Sequence, residues 1–159
     1  MFRPGMRAYF LPLAAGIVLA ASAFLPWVVV GGVPLRGVPG VAALWVIGLG
    51  ALSTVLATLS LMTRKNSRHP LLVVGLAALG ITYLSLQILP RLAGEDALTV
   101  SQAFAIVENR PLDSAPIARA GIGIYVGLAA STVLVAFGLT IVIKRASQPY
   151  VNADPNDDV

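Results

Sequence analysis

The chain has 159 residues, of which 57% are hydrophobic and only 11% are charged, and its mean hydropathy is +0.85. Because about a quarter of the residues in a soluble domain are charged, this composition predicts a protein whose solvent is lipid. Cysteine is absent, which excludes a disulfide framework, a thiolate metal site and a thiol nucleophile. The net charge of +4 is not gathered with aromatic residues into a basic patch, so we expect no nucleic-acid partner.

Four hydrophobic stretches without Asp, Glu, Lys or Arg predict four membrane-spanning helices. They cover residues 9–30, 41–62, 71–89 and 121–143. Crossing a hydrocarbon core of about 30 Å takes about 20 helical residues. Because open strands leave backbone groups unpaired in lipid, we expect the valines at 28–30 to continue the first helix. The sequence therefore predicts an all-α fold, an integral membrane four-helix bundle within residues 1–143.

The first stretch also has features of a cleavable signal peptide. Arg3 and Arg7 precede an apolar run, and Ala21-Ser22-Ala23 would suit a cleavage site. Cleavage there would leave three spanning helices and an N-terminus outside the cell. The apolar run continues to Val30, however, and is long enough to span, so we favour an uncleaved helix.

The basic residues are distributed unequally over the two sides of this bundle. One side carries seven of them: Arg3, Arg7, Arg64, Lys65, Arg68, Lys144 and Arg145. The other side carries four: Arg36, Arg91, Arg110 and Arg119. The positive-inside rule therefore predicts that both termini are cytoplasmic in a plasma (inner) membrane that the chain crosses several times. The expected membrane-interface anchors are Trp27, Tyr9, Arg64, Lys65, Arg68, Lys144 and Arg145.

The segment 90–120 is the longer outer loop. Thr99-Val100-Ser101-Gln102 fits a capping box, which predicts a short amphipathic helix around Phe104. This helix would either close over the protein's own helices or present a surface to a partner. At the other end of the chain, the polar and acidic residues 144–159 predict a flexible cytoplasmic tail.

The predicted spans contain no ionisable side chain of Asp, Glu, Lys, Arg or His. Proton relays and ion-coupled carriers depend on such groups, and a serine nucleophile needs a neighbouring base. The only histidine, His69, lies in the predicted cytoplasmic loop, so no haem or metal ligands are expected within the membrane. We therefore expect neither an enzyme nor a cofactor.

Small residues recur at four-residue spacing in two of the predicted helices. They are Gly123, Gly127 and Ser131 in the last helix, and Gly50, Thr54 and Thr58 in the second. Such stripes let helix backbones approach closely. They can join helices within one chain or between chains, and a Gly127→Leu substitution is expected to weaken whichever association they serve.

Three short motifs resemble a known group of proteins. They are Leu25-Pro26-Trp27-Val28, the glycine-rich loop after it, and Gly121-Ile122-Gly123-Ile124-Tyr125. Together they resemble small, largely uncharacterised bacterial four-helix integral membrane proteins. The resemblance implies a plasma-membrane location and brings no activity or catalytic residues with it.

The leading functional hypothesis is a non-catalytic accessory or structural subunit of a larger membrane protein complex. Its partners would be other integral membrane proteins or further copies of the chain, with membrane lipids around them. The alternative is an oligomeric transporter or channel for a neutral or apolar solute, lined by the hydroxyls of the second helix. A third hypothesis is an envelope sensor that signals through the acidic tail.

Overall fold

The computed structural model describes residues 9–63, 68–109, 111 and 116–146, without the side chains of Arg68 and residues 141–146. The described residues form four helices: α1 (Phe10–Ser22), α2 (Val41–Thr63), α3 (Arg68–Glu108) and α4 (Ile122–Ala146). They also form three strands: β1 (Pro26–Val30), β2 (Val33–Arg36) and β3 (Ala118–Ala120). Most of this chain is therefore helical, as the sequence predicts.

The four helices of the described chain pack side by side. α1 contacts α2 and α4, and α3 contacts the same two helices from the opposite side. α1 and α3 run towards the sheet, while α2 and α4 start beside it and run away. Within the described residues, α2, α3 and α4 are long and apolar enough to cross a membrane, which supports an integral membrane protein. α1 has 13 residues, so at about 1.5 Å per residue it is about 20 Å long.

The predicted first span is wrong in its second half, because α1 ends at Ser22 and the valines form a strand. The amides of Ala23, Phe24 and Leu25 each bond a carbonyl three residues back, which tightens the last turn. Pro26 has no N–H to donate, and the Ser22 carbonyl accepts from the Leu25 amide and the Trp27 indole instead. Gly31 and Gly32, with φ of 55° and 86°, form the two-residue hairpin that pairs Val30 with Val33.

A three-stranded antiparallel sheet joins the two connections on one side of the helices. Its strand order is β2-β1-β3, and Val28 of β1 lies opposite Ala120 of β3. The segment before α4 is thereby bonded to the segment after α1. All four residues of β2 are exposed. Because open strands are not stable in hydrocarbon, the sheet belongs outside the hydrocarbon core.

α3 is a single helix where the sequence predicts a span, a loop and a second short helix. It continues through Pro90, which removes one backbone hydrogen bond without ending the helix. The predicted capping box lies inside it, and the Thr99 hydroxyl donates to the Glu95 carbonyl at 2.9 Å. The 41 residues of α3 extend about 60 Å at 1.5 Å each, about twice the thickness of a hydrocarbon core. Its last turns therefore project beyond the sheet.

Candidate interaction surfaces

Two glycines form the closest approach between α1 and α2. A Cβ atom on Gly50 would lie 2.7 Å from the Ala20 nitrogen and 2.8 Å from the Gly16 oxygen. A Cβ atom on Gly16 would lie 2.7 Å from the Thr54 hydroxyl oxygen. Gly50 and Thr54 of the predicted stripe therefore pack helices within the chain.

The predicted stripe of α4 also lies inside the chain. Gly123, Gly127 and Ser131 are all buried. A Cβ atom on Gly127 would lie 3.1 Å from both the Ser22 hydroxyl oxygen and a methyl carbon of Thr82. This stripe fits α4 between α1 and α3, so these residues are not exposed to a partner. A Gly127→Leu substitution would therefore disturb the packing of α4 against α1 and α3 within the chain.

A further small-residue contact, which the four-residue spacing does not predict, joins α3 and α4. A Cβ atom on Gly75 would lie 3.0 Å from the Leu134 Cβ atom, and one on Gly138 would lie 2.6 Å from the Leu72 Cβ atom. Gly138 follows Ser131 by seven residues, about two helical turns. It therefore extends the same face of α4, which is a signal that could have identified it.

Thr54 and Thr58 of α2 do not form a polar lining. Thr54 donates to the Gly50 carbonyl and Thr58 to the Thr54 carbonyl, each at 2.8 Å. Thr54 lies against α1, whereas Thr58 is exposed on the outside of α2. Ser53 is the buried hydroxyl without a hydrogen-bond partner among the described residues. The hydroxyls of Thr54 and Thr58 thus donate hydrogen bonds to backbone carbonyls of their own helix, as hydroxyl side chains in helices commonly do.

Trp27 fixes the junction between α1, the sheet and α4. It is 2% exposed, and its indole nitrogen donates to the Ser22 carbonyl at 2.9 Å. A Cβ atom on Gly123 would lie 2.6 Å from the indole Cδ1 atom, and one on Gly37 would lie 2.8 Å from the indole nitrogen. The Trp27 carbonyl accepts a hydrogen bond from the Gly121 amide at 2.7 Å. Gly37 of the connection after α1, Gly121 before α4 and Gly123 in the first turn of α4 therefore surround this tryptophan.

The expected aromatic anchors are internal residues. Trp27 is buried as described, and Tyr9 is buried with its ring edge-to-face against Phe137, at a centroid distance of 5.2 Å. Side chains that anchor a protein in the headgroup region must reach it, so this prediction is wrong for both residues. Arg64 and Lys65 lie outside the described residues. The remaining basic anchors are Arg68, Lys144 and Arg145. For these three residues the structure describes the helical backbone but not the side chains.

Three other aromatic residues lie on the outside of the helices at one level. Trp45 of α2, Tyr83 of α3 and Tyr125 of α4 are 63%, 54% and 54% exposed. Trp45 lines the same groove as Ser85, two residues beyond Tyr83. Gly127, two residues beyond Tyr125, packs on Thr82. These three exposed side chains form an aromatic belt at one level of the helices, an arrangement typical of side chains at a membrane interface.

The projecting end of α3 carries an exposed apolar surface. We call Val100, Phe104, Ile106 and Val107 the outer apolar surface, and all four are exposed, Phe104 by 62%. α3 lies against the sheet nearly two turns earlier, where a Cβ atom on Gly94 would be 3.6 Å from the Ala118 Cβ atom. Beyond that contact Ser101 and Ala105 are half-buried, and the outer apolar surface is uncovered.

Charges along this segment are exposed and weakly paired. Arg91 and Glu95 form an ion pair at 3.0 Å with both side chains mostly exposed, an arrangement that contributes little to stability. Within the described ranges, no three His, Asp or Glu side chains come close enough together to hold a metal ion. The strongest interaction features of the described chain are thus apolar.

Comparison with known proteins adds no relative to this picture. No protein-family model matches the chain, and no similar curated protein or solved structure was found.

Proposed function

We propose that this protein is a non-catalytic accessory subunit of a larger complex in the plasma membrane, and that it docks its partner through the outer apolar surface. The observation that carries this proposal is the exposure of Val100, Phe104, Ile106 and Val107 on a helix that projects past the sheet. Exposed apolar groups in water each forfeit about 25 cal/mol per Å² of the free energy that burial would supply. Exposed apolar side chains gathered on one short segment are typical of protein interfaces.

The placement of the glycine stripes supports the same choice of surface. Gly50, Gly123 and Gly127 already contact other helices of the chain. These residues therefore pack helices within the chain and are not exposed for contact with a partner. Beyond the aromatic belt, apolar side chains are exposed at Val33, Leu35 and Ile117 of the sheet region and along the projecting end of α3. We therefore place the partner at the end of α3 and next to the membrane surface.

The transporter alternative receives less support. It needs a polar path, and the α2 hydroxyls on which it depends donate to carbonyls of their own helix. Thr58 lies on the outside of the helices, and Thr54 lies in the contact with α1.

The proposed orientation places the sheet and the end of α3 outside the cell, with both termini inside. The native chain lacks cysteine, so single cysteines can report it directly. We expect a membrane-impermeant maleimide to label Gln102→Cys in intact cells and to label Ser67→Cys only after the cells are opened. The reverse pattern would contradict this orientation.

A charge placed in the outer apolar surface should weaken partner binding without unfolding the chain. We expect Phe104→Glu to lower the yield of co-purified partner at least tenfold, since truncation or charging of a central interface aromatic costs about 2 kcal/mol or more. The measurement is quantitative mass spectrometry after affinity purification in mild detergent. Gln102→Glu is the matched control, because it adds the same charge to an exposed position of the same helix segment.

Equal partner yield from Phe104→Glu and the unmodified chain would remove the outer apolar surface from the proposal. Equal loss from Phe104→Glu and Gln102→Glu would also count against it, because the effect would then be one of charge rather than of apolar contact. Thermal unfolding of both variants in detergent shows whether the helices remain folded.

A further inference from the structure

Two arginines lie on the same face of the three-stranded sheet. Arg119 of β3 lies opposite Val29 of β1, and Val29 lies opposite Pro34 of β2. Because side chains alternate between the two faces along a strand, Arg36, two residues after Pro34, lies on the same face as Arg119. We call this side of the sheet, which carries Val29, Pro34, Arg36 and Arg119, the arginine face.

Both arginines of this face are exposed and have no counter-charge within the described residues. The ion pair of the described chain is that of Arg91 and Glu95, and none of the three strands contains an Asp or Glu residue. The other described carboxylates, Asp96 and Glu108, belong to α3, which meets the opposite face of the sheet at Ala118. The arginine face is therefore positively charged and open to a ligand.

An exposed apolar side chain adjoins each of the two arginines. The amide that follows Arg36 donates to the Leu25 carbonyl at 3.2 Å, which places Arg36 beside the end of α1. Phe24 and Leu25 at this end are 59% and 37% exposed. Arg119 precedes Ile122, the first residue of the apolar helix α4, by three residues, and Ile122 is 63% exposed. Each arginine thus lies where an apolar helix meets the sheet outside the hydrocarbon core.

This order of apolar and cationic groups complements a phospholipid, in which the acyl chains are followed by a phosphate. Arginine binds phosphate through two parallel hydrogen bonds, and its long stem can lie along apolar surface while the charged end stays in the headgroup region. Two strand spacings of about 4.8 Å and two residues of about 3.4 Å separate the Cα atoms of Arg36 and Arg119 by about 12 Å. Side chains at this separation can bind one phosphate together or two neighbouring phosphates.

We propose that the arginine face binds the phosphate groups of anionic phospholipids in the adjacent leaflet. Arg36 binds beside the exposed end of α1, and Arg119 binds at the start of α4. An anionic headgroup fits better than a zwitterionic one, because the strands have no carboxylate that could pair with a lipid ammonium group. The inference goes beyond the proposed subunit function, which depends on the end of α3 and not on these two arginines.

The test is native mass spectrometry of the full chain in a neutral detergent, titrated with phosphatidylglycerol or with phosphatidylcholine of the same acyl chains. We expect phosphatidylglycerol to bind at least fivefold more tightly. Arg36→Gln and Arg119→Gln should each weaken its binding about fivefold, the factor that corresponds to about 1 kcal/mol for one arginine near an anionic membrane surface. Both variants should weaken phosphatidylcholine binding less. Arg91→Gln is the matched control, because it removes the same charge from an exposed arginine outside the arginine face, and it should leave both affinities unchanged.

The ratio of the two lipid affinities within one variant does not depend on how much of that variant is folded. Equal affinities of the unmodified chain for the two lipids would therefore overturn the choice of an anionic lipid. Equal weakening by Arg36→Gln, Arg119→Gln and Arg91→Gln would be an effect of net charge alone and would overturn the location of the site.

Two further outcomes would overturn the proposal in favour of another occupant. Displacement of phosphatidylglycerol by an equal concentration of glycerol 3-phosphate would show that the face binds a soluble phosphate compound. Unchanged lipid binding in the double variant Arg36→Gln/Arg119→Gln, together with loss of a protein that co-purifies with the unmodified chain, would show that the face binds an acidic protein surface. We expect neither, because the acyl chains contribute to binding beside α1 and α4.

Discussion

Replacement of Trp27 by alanine should lower the free energy of unfolding by about 3–5 kcal/mol, the cost of removing a large buried aromatic side chain. The indole fills the space between Gly37 and Gly123 and donates to the Ser22 carbonyl. Without it, the end of α1, the sheet and the start of α4 lose their common contact. The measurement is unfolding of the detergent-solubilised protein by sodium dodecyl sulfate, followed by circular dichroism.

The second tryptophan is a matched control for this prediction. Trp45 has the same side chain but is 63% exposed, so Trp45→Ala should change the unfolding free energy by less than about 1 kcal/mol. Similar effects of the two substitutions would show that Trp27 does not hold the sheet to the helices as the structure indicates.

Gly50→Leu should destabilise the protein by about 3 kcal/mol, at the upper end of the range for overpacking. The first carbon of the new side chain would meet the Ala20 nitrogen and the Gly16 oxygen at 2.7 and 2.8 Å. Both are backbone atoms, so α1 and α2 must separate to admit it. The same unfolding titration measures the effect.

Gly48 provides the control on the same helix. A Cβ atom there meets nothing within 4 Å, and the residue is exposed. Gly48→Leu should therefore be neutral or slightly stabilising, since glycine inside a helix is unfavourable by about 0.5–1 kcal/mol relative to alanine. Equal destabilisation by Gly48→Leu and Gly50→Leu would contradict the close approach of α1 and α2.

The sequence predicts α2 and α4 well and α1 poorly, for identifiable reasons. Hydropathy, together with the glycines and prolines that flank the apolar runs, predicts spans at 41–62 and 121–143. The observed helices, Val41–Thr63 and Ile122–Ala146, agree with these bounds to within three residues. Hydropathy alone does not distinguish a helix from a strand, so it predicts that Val28–Val30 belong to the first span. The Gly31-Gly32 pair between valines is a recognised hairpin signal that would have corrected this assignment.

Which neighbour each helix face contacts depends on how the helix is rotated about its own axis. That rotation cannot be read from the sequence. Spacing identifies Gly123, Gly127 and Ser131 as a packing face, but the structure shows that α1 and α3 occupy it. The sequence predicts that the third span ends at residue 89, whereas α3 continues through Pro90 and contacts β1 and β3.

The most direct test of the proposed subunit role is mild-detergent extraction from native membranes, with a native gel and mass spectrometry of the band. The account predicts that the chain migrates with a defined set of larger membrane proteins, that Gln102→Glu preserves this band, and that Phe104→Glu returns the chain to its own small size. Migration of the unmodified chain alone, as a monomer or a small homo-oligomer, would contradict it.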